Sequence, residues 1–479
     1  MTFRLSAVLA CALVAAWLPP PARASGTSTR QLLAAMRDTN ELGRYGHLLQ
    51  VMPQLEPADK GLAQQYLAFS ESELGLYGEA VRDFPLKARL PSGVVLPSPP
   101  DWQAADAVDT IVELAAQRRV VMVNEAHHDA HTRLLTLELL PRLRALGYTH
   151  LAIEALVEDD AHLRKRGYPT DHSGTEYMRE PVYGEIVREA LRLGYVLVPY
   201  DPVDLDAQAR ESQQARKLYD KVLAGNPNAK LLVHAGYAHI DKGLGRLGRV
   251  LPMAANLQAL SGLDILSVDQ TDIREEEPFN ELEAHREVNN AVRTSDSLRG
   301  VPQNGLTPHF DARAALREPY HQIVEAFHPQ RPIVLRHAGD GRPWSARPKL
   351  YDMNVILPPA NERVSAYVRD RVIPLQIHGK AAIALPAAAD GHRPGWLALD
   401  GRRLALPISR DLCARTFPCL VEAHYADEPD DAVAADRYVF LENGAGNTLW
   451  LRPGRYRLRS LDIAGKVLAE RPVQVDPMH

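Results

Sequence analysis

Cysteine is nearly missing from this chain: 479 residues carry three, Cys11, Cys413 and Cys419. The last two supply too few ligands for a thiolate metal centre and read instead as a structural pair. Long apolar runs are equally scarce. Beyond Leu18 no segment approaches the roughly 18 apolar residues of a membrane helix, so no transmembrane helix is expected in the mature chain. Excess positive charge is absent too, with 55 Lys and Arg against 60 Asp and Glu. No basic stripe interleaved with aromatics occurs, which argues against nucleic acid as a partner.

The amino-terminal residues read as an export leader. Arg4 precedes an apolar stretch from Leu5 to Leu18, followed by Pro19, Pro20 and Pro21 and the small-x-small site Ala22-Arg23-Ala24. Residues 1–24 are expected to be removed before Ser25, giving a periplasmic or secreted protein. The rival reading, a lipoprotein acylated at Cys11 after Val8-Leu9-Ala10, leaves most of the apolar stretch on the wrong side. In an exported chain Cys413 and Cys419 can form a disulfide. An extended strand would hold them about 20 Å apart, so a bond requires a turn within Ala414 to Pro418.

The length implies two or three domains. Residues 29–90 have a helical pattern, and Gln65 to Phe84 resembles a tetratricopeptide hairpin turning at Gly75 to Gly78. A stacked solenoid needs about three repeats and little more than one is present, so a helical cap on the next domain is favoured over a module for a protein partner. Pro91 to Pro100, with four prolines, is the linker.

From residue 102 to about 360 the pattern is α/β, a mostly parallel open sheet with flanking helices. Strands are expected at Val120–Val123, Leu151–Ile153, Val196–Val198, Leu231–Val233 and Ile265–Val268. Helices should start near Ala130, Thr175, Leu205 and Pro252, with Pro141 kinking or shortening the first. Gly147, Gly194 and Gly225 fall where helix C-termini belong. Residues 272–349 read as a charge-rich insertion over the site, and Met353 to Pro359 as one more strand. Residues 364–479 alternate as short strands, for which a small β-sandwich is the simplest solution.

Two runs carry the chemistry: Val120-Val-Met-Val-Asn-Glu-Ala-His-His-Asp129 and Leu231-Leu-Val-His-Ala-Gly-Tyr-Ala-His-Ile240. Each is an apolar run of strand length ending in titratable groups, at the strand ends where open α/β sheets build their sites. Glu125 and His128, three apart at a strand-to-helix junction, are expected on one side, with His131 and Arg133 beside them and His127 either facing outward or supporting the site from behind. Glu154 ends the second strand, Tyr200 and Asp201 the third, and His234 and His239 the fourth. Parallel pairing would bring these tips together as a mixed imidazole and carboxylate cluster.

Glu125, His128, Glu154 and His239 are the expected catalytic set, with His131, Arg133, Asp201 and Tyr237 touching substrate or supporting it. Asp201, before Pro202, could instead cap a helix. Glu125, His128, Glu154, His234 and His239 would suit divalent manganese, zinc or iron, whose bound water would favour hydrolysis. Without metal, a carboxylate-tuned histidine can activate water on an ester or amide.

At these residues the chain resembles the superfamily that joins erythromycin esterase, the haem-binding lipoprotein ChaN, and the TraB and Tiki proteins. The family pattern is Gly-Glu-x-x-His, then a Glu, then Gly-x-x-His. Here it reads Asn124-Glu125-Ala126-His127-His128, Glu154, and Gly236-Tyr237-Ala238-His239. The resemblance spans residues 115 to 270, about a third of the chain. It implies metal-dependent peptide cleavage, ester hydrolysis by a histidine-activated water, or haem carriage without turnover; Tyr237 or Tyr200 would be the axial haem ligand. The departure from the family pattern is Asn124 in the glycine position. A scaffold binding envelope partners is the remaining reading.

Overall fold

The computed structural model describes residues 27–36, 40–202, 205–276, 318–360, 373–377, 380–384, 393–442 and 446–477. The leader, Cys11 and most of the charge-rich helical reading after Glu275 lie outside these residues.

Helices α1 (Thr27–Met36), α2 (Glu41–Val51), α3 (Pro57–Glu73) and α4 (Tyr77–Asp83) form the amino-terminal unit. The turn between α3 and α4 passes through Gly75 at φ 77°, and a Cβ there would strike the Arg437 carbonyl. Apolar residues of this unit, among them Leu42, Leu48, Leu67 and Leu74, are fully or almost fully buried in the same core as the sheet that follows.

That sheet has eight strands in the order β1-β7-β8-β6-β2-β5-β3-β4. They are β1 (Trp102–Asp106), β2 (Val120–Glu125), β3 (His150–Ile153), β4 (Val196–Pro199), β5 (Leu231–Gly236), β6 (Leu266–Asp269), β7 (Ile333–His337) and β8 (Met353–Ile356). From β8 to β4 all pairings are parallel, while β7 runs antiparallel to β8 and β1 to β7. The intervening helices are α5 (Ala107–Ala115), α6 (Arg133–Ala145), α7 (Leu163–Arg166), α8 (Pro181–Arg192), α9 (Ala207–Leu218), α10 (Met253–Ser261) and α11 (Pro319–Phe327).

The central strands β2 and β5 are buried at every position, as apolar strands covered on both faces must be. Alternation divides them between two cores. Val121 and Val123 pack under α5, α6, α8 and the amino-terminal helices, while Val120, Met122, Val233 and Ala235 pack against α9 and α10. Gly147, Gly194 and Gly225 adopt the left-handed conformation expected at helix ends.

Three expectations need correction. Pro141 does not shorten α6, which runs on to Ala145. Both β2 and β5 extend to the titratable positions, so Glu125 and His234 lie within strands. The end of the expected insertion, residues 318–349, supplies α11 and the sheet strand β7. Its run Ile333-Val-Leu is short and flanked by charge, which hid it, and β1 is an edge strand that after Trp102 holds only weak strand formers.

The carboxyl-terminal part is antiparallel: β9 (Ile373–Ile377) with β10 (Lys380–Ala384), β11 (Leu404–Ile408) with β14 (Asn447–Leu451), and the sheet β13-β12-β15-β16, from β12 (Cys419–Tyr425), β13 (Asp436–Phe440), β15 (Gly454–Asp462) and β16 (Val467–Val475). Cys413 and Cys419 are bonded, their Cα atoms 5.7 Å apart. The turn that closes this distance places Ala414 and Arg415 at positive φ. No helix among the described residues is long and apolar enough to cross a membrane.

Candidate functional site

Register dictates the site. Glu125 pairs with Gly236, Val123 with His234, and Ile153 with His234 from the other side. Glu125, His234 and Gly236 therefore share one face, and Glu154, the residue after β3, arrives on the far side of β5. Its backbone N–H donates to the His234 carbonyl at 3.2 Å, and its Oε2 accepts from the Gly236 N–H at 2.5 Å.

After Glu125 the chain does not enter a helix. It makes a tight turn, with the Asp129 N–H donating to the Ala126 carbonyl at 2.8 Å. Thr132 Oγ1 braces this turn by accepting from the Ala126 N–H and donating to the Asp129 carbonyl. The turn folds His127 back over β5, so the histidine expected to face outward or to support the site from behind is the one that meets the glutamate. His127 Nδ1 lies 2.8 Å from Glu125 Oε1, and its ring stacks on Tyr177 at 4.2 Å.

A Cβ on Gly236 would collide with Cε1 and Nε2 of His127 and sit 3.2 Å from Glu154 Oε2. The glycine is thus the floor on which His127 and Glu154 meet. Gly236→Ala is expected to displace a ring that its glutamate and stacked tyrosine hold in place, lowering the melting temperature by several degrees. A thermal scan checks this, and an unchanged midpoint would mean the ring is loosely held.

His128 points away from Glu125, stacked on Phe84 at 3.7 Å with Nδ1 3.1 Å from the Tyr237 hydroxyl. Burial first, then the cations of Arg274 and its surroundings, push its pKa well below the ordinary range, so it is neutral. His131 is also removed from the cluster. It stacks on Trp396 at 5.1 Å, and burial drives its pKa down to about 3. Both corrections follow from the turn, because spacing of three and six residues shares a face only in a helix.

Glu125 is 1% exposed and fully engaged. Oε2 accepts from Arg133 Nε at 2.5 Å and lies 3.4 Å from His234 Nε2. Burial alone would raise its pKa, but Arg133, His127 and His234 together hold it well below the usual carboxylate range. An ionised Glu125 can only accept, so His127 Nδ1 carries the proton. The second nitrogen, Nε2, makes no hydrogen bond within the protein among the described residues. His234 is fixed through Nδ1 by Thr136 Oγ1 at 2.8 Å.

Around Glu154 stands a second group. Oε1 accepts from Arg210 Nη2 at 2.7 Å and lies 3.4 Å from His239 Nε2. Arg210 also grips both oxygens of Asp201, at 2.8 and 2.7 Å, so Asp201 serves this arginine instead of capping α9, which Asp206 does. His239 Nδ1 is 2.7 Å from Glu211 Oε1. Burial would lower the His239 pKa, but the Glu211 and Glu154 carboxylates outweigh it and raise it to about 10, making His239 a cation. Arg210 and Glu211 lie on α9, and nothing in the sequence motifs marks them.

The sign of that shift gives a stability expectation. A histidine raised above its ordinary value of roughly 6.5 stabilises the fold fully below that pH and loses the contribution as pH rises through about 10. Between pH 7 and 10 the His239→Gln protein should therefore lose less stability than the wild type. Denaturant midpoints across this range would refute the assignment if the two curves stayed parallel.

Asn124, in the position of the family's glycine, faces the opposite side of β2. Its amide donates to the Tyr237 carbonyl at 2.7 Å and to Asp269 Oδ1 at 2.6 Å, while its Oδ1 accepts from the Gln270 N–H at 2.7 Å. It ties the loop bearing Tyr237 and His239 to the end of β6 and does not enter the space around His127.

The expected metal set does not assemble. Among the described residues no three His, Cys, Asp or Glu side chains are placed to hold one ion. Each carboxylate is already held by an arginine, and His128 is on the far side of Tyr237, so as placed these residues do not fit a metal. The expected axial tyrosines are also committed: Tyr200 donates to the His234 carbonyl at 3.2 Å, and the Tyr237 hydroxyl faces His128.

No protein-family model matches the chain, and no curated protein matches it. Among solved structures it is similar to the type III effector HopBA1, at 18% identity over 37% of this chain and 86% of that one, with a TM-score of 0.25. It is also similar to a structure described as bacterial protein toxins, at 14% identity over 52% of this chain and 47% of the other, with a TM-score of 0.26. Similarity at this level carries nothing about the site.

Proposed function

We propose that this chain is an exported hydrolase of ester or amide bonds, of the kind implied by its resemblance to the erythromycin esterase, ChaN, TraB and Tiki superfamily. His127 is the general base. The observation that carries this reading is the pair His127 Nδ1 and Glu125 Oε1 at 2.8 Å, with Glu125 buried, ionised and braced by Arg133. A histidine whose Nδ1–H is fixed by a carboxylate presents Nε2 as an acceptor, which is what deprotonation of water requires.

Glu125 stabilises the imidazolium that forms when His127 takes the proton. Arg210 and His239 hold the Glu154 carboxylate in place on the Gly236 side of His127.

The test is turnover of p-nitrophenyl acetate and of a fluorogenic peptide mixture by the mature protein, beside Glu125→Gln. Elemental analysis and absorbance run in parallel. Turnover that falls in the variant supports the reading. A protein without turnover that takes up one haem per chain overturns it in favour of a carrier.

A further inference from the structure

Arg133 is 1% exposed, and Glu125 is not its only anion. While Nε contacts Glu125, Nη1 donates to Glu180 Oε2 at 2.8 Å and Nη2 to the His127 carbonyl at 3.0 Å. The guanidinium also lies over the Tyr183 ring at 4.7 Å. A planar cation fixed at three corners cannot follow Glu125, so its position decides where the Glu125 carboxylate sits.

Glu180 is fixed in turn. Its Oε1 accepts from the Val182 N–H at 3.0 Å and its Oε2 from the Tyr183 N–H at 3.0 Å, the bonds of a helix cap on α8. A cap needs no more than this. Yet Oε1 also accepts from the hydroxyl of Tyr77 at 2.9 Å, and Tyr77 opens α4 in the amino-terminal helical unit, 103 residues away. The line Tyr77, Glu180, Arg133, Glu125, His127 is unbroken and crosses from one unit to the other.

We propose that Glu180, held by Tyr77, is a positioning residue for the Glu125–His127 pair. It takes up part of the Arg133 charge, leaving Glu125 Oε1 free to hold His127 Nδ1. With Glu180 neutral, both Glu125 oxygens are drawn to Arg133 and the grip on His127 loosens. The helical unit is then a working part of the site. This inference rests on reading His127 as the base.

The test uses the full chain with Glu180→Gln, which keeps an acceptor for the helix cap and removes the charge, and Tyr77→Phe, which removes one hydroxyl. The readout is solvent exchange of the His127 Nδ1 proton by NMR, assigned by its loss in His127→Asn. Exchange should quicken by up to roughly tenfold in Glu180→Gln, the net worth of one hydrogen bond, and by less in Tyr77→Phe. On p-nitrophenyl acetate the same variants should lower kcat with KM unchanged.

Absent turnover in the wild type would strike the hydrolase reading while the exchange rates still decide this one. Unchanged exchange in a folded Glu180→Gln protein would reduce Glu180 to a helix cap and overturn the proposal. Should Glu180→Gln fail to fold, unchanged exchange in Tyr77→Phe overturns it equally.

Discussion

His127→Ala is expected to lower kcat/KM for p-nitrophenyl acetate by roughly a hundredfold to ten-thousandfold, the range of a lost general base, with His128→Ala costing far less. The two residues are neighbours in sequence and both are buried, so general disruption of the site does not predict such a split. His127 alone reaches Glu125 and leaves Nε2 without a protein partner. His128 has its face against Phe84 and its Nδ1 at Tyr237. Loss of its ring removes the stacking partner of Phe84, which should show chiefly in thermal stability. Steady-state kinetics on both variants checks this, and a kcat loss in folded His128→Ala equal to that in His127→Ala would move the base to His128. Glu125→Gln should follow His127→Ala in kcat, since an amide at Oε1 no longer fixes the tautomer.

Which of the two neighbouring histidines meets Glu125 is a matter of local geometry that the sequence pattern does not carry. Strand ends are legible because buried parallel strands are short apolar runs, and a carboxylate closing such a run marks the sheet edge. Glu125 and Glu154 stand out as strand-end carboxylates in this way, and parallel register brings them to either side of Gly236. Choosing between His127 and His128 requires the backbone path from 126 to 129. A helical path would pair Glu125 with His128, and the actual turn pairs it with His127. That turn is set by Thr132 and Asp129, polar residues whose bonds become evident only when the chain is folded. The same holds for Arg210, Glu211 and Glu180. Their helices were anticipated in outline, but helical periodicity says which residues face inward and nothing about which strand tip they meet. The eight-stranded sheet was recognised from its central strands, while β1 and β7 at one edge lack the long apolar run that would have announced them.

The asymmetry between breaking a buried charge network and replacing it gives the largest stability effect. Arg133→Leu is expected to destabilise the fold by about 3–5 kcal/mol, because it strands Glu125 and Glu180 as buried carboxylates without their cation. Their remaining partners are neutral or weaker: His127 and His234 for one, Tyr77 and two backbone N–H groups for the other. One or both carboxylates would then fold protonated, so the Arg133→Leu protein should regain stability as pH falls towards the range where carboxyls bind protons. Adding Glu125→Gln and Glu180→Gln to Arg133→Leu removes the charges altogether and should recover a large part of the loss, since neutral amides keep most hydrogen bonds without the ionic desolvation. Urea unfolding of the single and triple variants measures both. A triple variant less stable than Arg133→Leu would show that the network holds the fold through its bonds more than its charge balance. A recovered fold that remains inactive would separate the two roles of these residues: the charges are then there for the position of His127, and the fold merely tolerates them.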